Sequence, residues 1–385
     1  MMKPGITVGM MLWNEAETLN RVLYSYKEIA NEYVLGVDRK SNDGTQEIAK
    51  EWTDNYFEFD FNNNFSEIRN QILKRCNTKW FFQVDGHEFL VGESKRFLDE
   101  LKEEKEKAEL INVVLTIWGN EEPLFMFMAP RIFRTDREII YERKIHNTLT
   151  CAPGGQDKFI KLEVKNDTGI ILDHKQSVNR LLERQSQRNS ISVPNLKGMI
   201  EKNDEAYDWF NLAVMLMVTG EQVEAVKAFN KAFVRCKRED IRYQIRLHLA
   251  SIYRELRDDD KAKEVLGLAL SNNALRNEHF IELARIYEKK NLISVAIRLY
   301  EIATTYLIPV SYLNIYLPYY SYFPYMKLFE LYSGQGRLME AKEVGEKLKT
   351  FKFFPFKEQL KSYLQKIGNV INSNKDKEEK ETRRQ

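Results

Sequence analysis

Cysteine is scarce in this chain. The three that occur, Cys76, Cys151 and Cys236, lie far apart and form no CxxC pair. That argues against a zinc ribbon or a disulfide scaffold and leaves three buried or idle thiols as the expectation. Charge of one sign is also lacking. Lys and Arg number 59, Asp and Glu 57, for a formal charge of +2. Such a balance exerts no global pull toward nucleic acid or anionic lipid, so no nucleic-acid partner is expected. No apolar run approaches the ~18 residues that span a bilayer, and the first residues lack the basic and apolar regions of a secretory signal. A cytoplasmic chain without a transmembrane segment is the resulting expectation. Neither GxGxxG nor GxxxxGK[ST] occurs, which removes the dinucleotide and P-loop readings.

What is present is an ordinary globular balance, 43% hydrophobic, 30% charged and 12% aromatic over 385 residues, enough for two or three domains. The periodicity changes near residue 200. Before it, short apolar runs alternate with amphipathic stretches: strands at 6–11, 33–37, 56–59 and 80–84, helices at 19–28, 45–52 and 65–76, then strands at 111–118 and 131–133. Strands separated by helices predict a parallel sheet with covered faces, the later strands of mixed direction.

After residue 200 the chain repeats itself. Ala213, Ala250 and Ala284 head similar stretches 37 and 34 residues apart, and a weaker copy at Phe329 follows after 45. Each copy pairs a small residue with a large one a few positions on, as two closely packed antiparallel helices require. One hairpin leaves an apolar face open, so copies must stack. This resembles the tetratricopeptide repeat over about 205–349. The insert at 306–325 carries seven tyrosines and three prolines, suited either to an interface or to capping the solenoid core. From Ser373 to Gln385 nine of thirteen residues are charged, five basic and four acidic, which predicts a disordered tail. The divisions expected are 1–195, 196–366 and a tail at 367–385.

Chemistry-bearing residues gather at strand ends in the first half, where open α/β sheets place ligands. Asp38 ends the second strand, 41–45 (SNDGT) leads into a helix, and 85–88 (DGHE) follows the fourth strand. Gly86 lets Asp85 and His87 share a tight turn. Carboxylate plus imidazole suits Mn²⁺, while Mg²⁺ often holds one or two carboxylates beside phosphate oxygens. Such an ion could neutralise a diphosphate leaving group.

In order, 11–15 (MLWNE), 37–38, 41–45, 65–70 (FSEIRN) and 80–88 resemble a family 2 glycosyltransferase of the GT-A fold. Arg131–Arg134, 143–147 (RKIHN), Asp173–His174 and Arg188–Asn189 extend the likeness to about residues 4–190. The fold class implied is an α/β GT-A nucleotide-sugar-binding domain followed by an all-α tetratricopeptide-like solenoid. The resemblance implies that Asn14 and Glu15 line the nucleotide pocket and that Asp38 accepts from a uracil N–H. Asp43 would support that pocket while capping the next helix, and Arg69 would brace it. Asp85 and His87 would occupy the metal and sugar-diphosphate position, with His174 as a further ligand. Two departures stand out: the second metal aspartate is His87, and the usual His-Glu pair is His146-Asn147. An amide takes no proton near neutral pH, so the general base is expected at His146 or Glu142, with Glu88 and Asp136 as further candidates.

The activity implied is metal-assisted, inverting transfer from a UDP-sugar, with Mn²⁺ or Mg²⁺ as cofactor. A transferase joined to such repeats resembles bacterial enzymes that glycosylate peptides or proteins, and those can form homodimers through their helical regions. A polypeptide acceptor is therefore favoured. One alternative is a cell-surface glycan or lipid-linked sugar, with the Tyr-rich insert or Phe351–Phe356 as membrane handle. The other is a non-catalytic repeat scaffold with a degenerate transferase domain. Donor selectivity is expected from loops such as 119–128. His248 and His279 read as structural, and 102–107 as a solvated helix face.

Overall fold

The computed structural model describes residues 2–91, 95–102, 108–119, 121–137, 139–151, 164–165, 170–175, 178–270, 276–309 and 311–382. Of these, the side chains at 95–97, 102, 151, 164–165, 178–189, 269–270 and 374–382 are not described. The chain separates into two compact units, Met1–Asn203 with Val310–Asn314, and Asp204–Pro309 with Ile315–Gln385.

The first unit opens with β1 (Lys3–Leu12), α1 (Ala16–Tyr26), β2 (Glu32–Asp38), α2 (Thr45–Trp52), β3 (Tyr56–Phe59), α3 (Phe65–Leu73) and β4 (Thr78–Asp85). There follow β5 (Glu88–Leu90), α4 (Lys95–Lys102), β6 (Leu110–Trp118), β7 (Pro123–Arg134), β8 (Ile139–Glu142), β9 (Thr148–Cys151), β10 (Val164–Lys165), β11 (Ile171–His174) and α5 (Val178–Asn203). The main sheet runs β3-β2-β1-β4-β7-β6-β11-β5, with β10 beside β6. Strands β1 to β4 are mutually parallel where they pair, while β7 is antiparallel to both β4 and β6. The expected mixed sheet is thus found, with β7 reaching eight residues further upstream than its apolar core 131–133 suggested.

Burial explains the pattern. In β1 every residue from Ile6 to Met10 is buried, so the strand reads as a continuous apolar run. Helix α1 buries Leu19, Val22, Leu23 and Tyr26 at helical spacing, and α3 buries Ile68 and Ile72. Gly9 is needed on β1 because a Cβ there would stand 2.4 Å from the Phe81 ring. From β1 the chain adds β2 and β3 on one side and β4 on the other. That reversal opens a crevice at the carboxyl ends of β1, β2 and β4.

The second unit is helical: α6 (Ala206–Val218) with α7 (Gln222–Arg235), α8 (Glu239–Glu255) with α9 (Asp259–Leu270), α10 (Asn277–Lys289) with α11 (Ile293–Ala303), α12 (Tyr322–Gly334) with α13 (Leu338–Thr350), then α14 (Lys357–Thr382). The repeat alanines Ala213, Ala250 and Ala284 are buried, as close helix packing requires. The Tyr-rich insert turns inward over part of its length. Tyr319 Oη donates to Glu282 Oε1 at 3.1 Å, and Tyr322 packs with Leu348, Phe354, Leu360 and Leu364. Phe354 is buried there and Phe356 half exposed, so the aromatic run at 351–356 is mostly consumed in packing.

Two boundaries differ from those expected. The first unit ends at Asn203, because α5 continues past 195 and buries Leu196 completely. The charged tail does not leave the helix at 367. Helix α14 buries Leu360, Leu364 and Ile367 and propagates to Thr382, since Lys and Glu are good helix formers once a helix is nucleated. Cys76 and Cys236 are buried free thiols, and the Cys151 side chain lies outside the described residues.

Candidate active site

A cavity of ≈ 380 Å³ occupies the crevice. Of the residues expected at the site, it is lined by Glu15, Asp38, Arg69, Asp85 and His87, with Phe59, Phe61 and Phe65 as an aromatic wall.

Two loops are stapled together beside it. Asn14, at φ 49°, donates its N–H to Ser41 Oγ (3.0 Å) and accepts from the Asn42 N–H (2.9 Å). Asp43 accepts from the N–H groups of Ala16 and Thr45 and from the Thr45 hydroxyl, which itself accepts from the Glu15 N–H at 2.7 Å. Asn14 and Asp43 are therefore not among the lining residues. They tie the start of α1 to the start of α2. The residue at the α2 N-cap is Gly44, at φ 95°, and not Asp43. Asp38 is 5% exposed, and its Oδ1 accepts from the Lys40 N–H (3.0 Å). Oδ2 accepts no hydrogen bond from the described residues, which leaves it available to a ring N–H.

Asp85 ends β4. Its Oδ1 accepts from Gln83 Nε2 at 2.9 Å. Arg69 Nη2 stands 3.6 Å from Oδ1, and Arg131 Nη2 stands 3.9 Å from Oδ2. Burial pushes this carboxyl up, but the guanidiniums of Arg131 and Arg69 outweigh it and hold the group well below the ordinary carboxylate range. Arg131 is clamped beneath. Nη2 bonds Glu88 Oε1 at 2.6 Å, and Nη1 bonds Gln83 Oε1. Glu88, 1% exposed, returns through Oε2 to accept the Asp85 N–H at 2.9 Å. Glu88 is thus a structural counter-ion, not a base facing the cavity. The sequence signal for this network was Arg131, an arginine inside the largely apolar strand β7.

His87 is 4% exposed and bonded through Nδ1 to Glu15 Oε1 at 3.1 Å. The His174 ring meets it edge to face, with centroids 4.2 Å apart, and His174 Nδ1 lies 3.8 Å from Glu88 Oε1. Burial, reinforced by His87, lowers the His174 pKa. Asp85, His87 and His174 do not converge: no group of three or more His, Cys, Asp or Glu among the described residues is placed to hold a metal. Gly86 has no positive φ, so the tight turn is not why glycine stands there. A Cβ would lie 2.7 Å from Glu15 Cγ and Leu12 Cδ2.

Arg69 has two neighbours besides Asp85. Nη1 donates to Asn147 Oδ1 at 2.9 Å, the guanidinium lies over the Tyr141 ring, and Nε is buried without a partner. The β8–β9 hairpin that supplies Asn147 is fixed to α3, where Asn70 exchanges two 2.8 Å bonds with the Tyr141 backbone. Glu142 and His146 are exposed on this hairpin, His146 at φ 47°, and neither is among the lining residues. Asp136 pairs with Arg134. The described residues of 119–128, most of them in β7, are not among the lining residues. Ile191 and Ser192 of α5 do, and no motif pointed to them. The Arg188 and Asn189 side chains and the run 103–107 lie outside the described residues.

The comparisons agree with this geometry. Residues 7–160 match the family model for glycosyl transferase family 2. A TPR repeat-containing protein of Synechococcus elongatus is 23% identical over 307 residues, covering 76% of this chain and 73% of that protein. The SPbeta prophage-derived glycosyltransferase SunS of Bacillus subtilis is 25% identical over 146 residues, covering 37% of this chain and only 34% of SunS. Among solved structures, Pseudomonas aeruginosa PilF is 14% identical with a TM-score of 0.38, over 47% of this chain and 77% of that one, too loose a likeness to argue from. No helix among the described residues is long and apolar enough to cross a membrane.

Proposed function

We propose that this chain transfers a sugar from a UDP-sugar to a peptide or protein acceptor by an inverting displacement. The observation that carries the reading is the cavity itself. One wall is aromatic and borders Asp38, whose unused oxygen can accept from a uracil N–H. The guanidinium of Arg69 can meet a diphosphate. The acceptor's nucleophile attacks the anomeric carbon, the bond to the diphosphate oxygen breaks, and its electron pair leaves on UDP. A base on the exposed hairpin, His146 or Glu142, takes the acceptor's proton. Asn147 serves instead to orient Arg69.

A divalent ion, Mn²⁺ or Mg²⁺, fits Asp85. Its Oδ2 accepts no hydrogen bond from the described residues and the group stays ionised, which suits a hard cation that takes one carboxylate beside phosphate oxygens. When bound, such an ion would neutralise charge on the leaving group. His87 and His174 are committed through Nδ1 to Glu15 and toward Glu88, and in this reading they position the site rather than ligate. The helical repeats favour a polypeptide acceptor, because stacked hairpins offer extended surfaces.

The test is UDP release from a panel of UDP-sugars with Mn²⁺, Mg²⁺ or EDTA, for wild type and Asp85→Ala. One donor should give a metal-dependent signal that Asp85→Ala loses. A blank panel together with no UDP binding by calorimetry would overturn the reading.

A further inference from the structure

Helix α5, which begins 93 residues beyond the end of β4, reaches the cavity. Ile191 and Ser192 line it. Asn195 and Leu196, one turn on, share their face of the helix. Leu196 is completely buried, and Asn195 Nδ2 donates to the backbone oxygen of Asn63, another lining residue, at 3.4 Å. The face is therefore anchored to the loop that carries the aromatic wall. Pro194 lies inside α5 and offers no N–H to the Ser190 carbonyl, so the helix can bend at the turn that meets the cavity.

Several polar groups around the cavity are held by protein partners, and the free oxygens of Asp38 and Asp85 are acceptors only. Glu15 and His87 bond each other, Arg69 is held by Asn147, and Asp85 accepts from Gln83. Ser192 differs. Its hydroxyl makes no hydrogen bond to any described residue, although a hydroxyl can both donate and accept. Beside it Ile191 offers only apolar surface. A free hydroxyl next to a branched apolar side chain is what distinguishes sugars by one hydroxyl and by bulk.

Resting on the UDP-sugar reading above, we infer that Ser192 and Ile191 contact the sugar of the bound donor and set donor selection, Ser192 by a hydrogen bond to a sugar hydroxyl and Ile191 by limiting bulk. A site that hydrogen-bonds a ligand hydroxyl discriminates far more strongly than an apolar wall does. Ser192 should therefore set the larger share.

Calorimetry on the full chain tests this without knowledge of the acceptor. UDP and a panel of intact UDP-sugars are titrated into wild type, Ser192→Ala and Ile191→Ala. Ser192→Ala should bind UDP within about twofold of wild type and lose about tenfold in affinity for the preferred UDP-sugar, one hydrogen bond's worth. Ile191→Ala should narrow the gap between the preferred sugar and a bulkier one. An unchanged ratio of UDP-sugar to UDP affinity in Ser192→Ala would overturn the inference, as would an equal loss for UDP and every UDP-sugar, which marks a structural role. Wild type that binds no UDP would overturn the underlying donor reading, and the inference with it.

Discussion

Replacing Arg131 by Met should destabilise the first unit severely, because it strands a buried carboxylate. The Arg131 side chain is 11% exposed and Glu88 1%, and their 2.6 Å bond is the cationic contact nearest to Glu88. Removing one partner of such a pair costs about 3–5 kcal/mol. The orphaned Gln83 Oε1 adds about 1 kcal/mol. With a urea m-value of about 2–3 kcal/mol/M, the midpoint should fall by about 1.3–3 M. Four of the five tryptophans, Trp13, Trp52, Trp80 and Trp118, lie in the first unit, so intrinsic fluorescence follows its unfolding. Adding Glu88→Gln removes the stranded charge, and Arg131→Met/Glu88→Gln should be more stable than Arg131→Met alone by more than about 1 kcal/mol. A midpoint shift under about 0.4 M for Arg131→Met would refute the reasoning. So would a double variant no more stable than the single one.

Asn147→Ala frees Arg69 on one side and should weaken UDP binding about tenfold by calorimetry, the worth of a hydrogen bond to a charged group. Gly86→Ala forces a methyl to within 2.7 Å of Glu15 and Leu12 and should cost about 1–3 kcal/mol of overpacking, read as a lower Tm. Gly44→Ala meets open space but a φ of 95°; it should cost about 1 kcal/mol, and Gly44→Asn less, a ranking that strain predicts and crowding does not. His279 in the second unit is completely buried with neither ring nitrogen partnered, and burial lowers its pKa to about 4. The folded state keeps it neutral while the unfolded chain takes a proton below pH ~6.5. Its unit should therefore lose stability as the pH falls from ~6.5 toward ~4, by about 1.4 kcal/mol at pH 5.5. His248, whose pKa burial also lowers to about 4, adds a slope of the same sign, so His279→Leu should reduce the slope without abolishing it in urea titrations between pH 7 and 5, and an unchanged slope would count against the argument.

Much of the site was legible because its residues follow strands. Apolar runs mark where β2 and β4 end, and Asp38 and Asp85 are the residues at which they stop. What was misread followed from direction, which spacing does not give. Asp85 and His87 are two residues apart, yet one faces Arg69 and the other Glu15. Asp43 looked like a cap for α2, but Gly44 holds that position and Asp43 bridges two helix starts. The tail looked unstructured by charge alone, yet buried Leu360, Leu364 and Ile367 upstream carry its helix on.

The sequence by itself determined what local periodicity and residue type can determine: alternating strands and helices before residue 200, alanine-spaced hairpins after it, and acidic residues at strand ends. Each depends only on near neighbours along the chain. Tertiary structure alone decided what depends on residues distant in sequence. Arg131 arrives on an antiparallel strand to neutralise Glu88, Asn147 comes from a hairpin to steady Arg69, and α5 brings Ser192 to the cavity. Their energies come from burial and hydrogen-bond geometry, which exist only once the sheet has assembled.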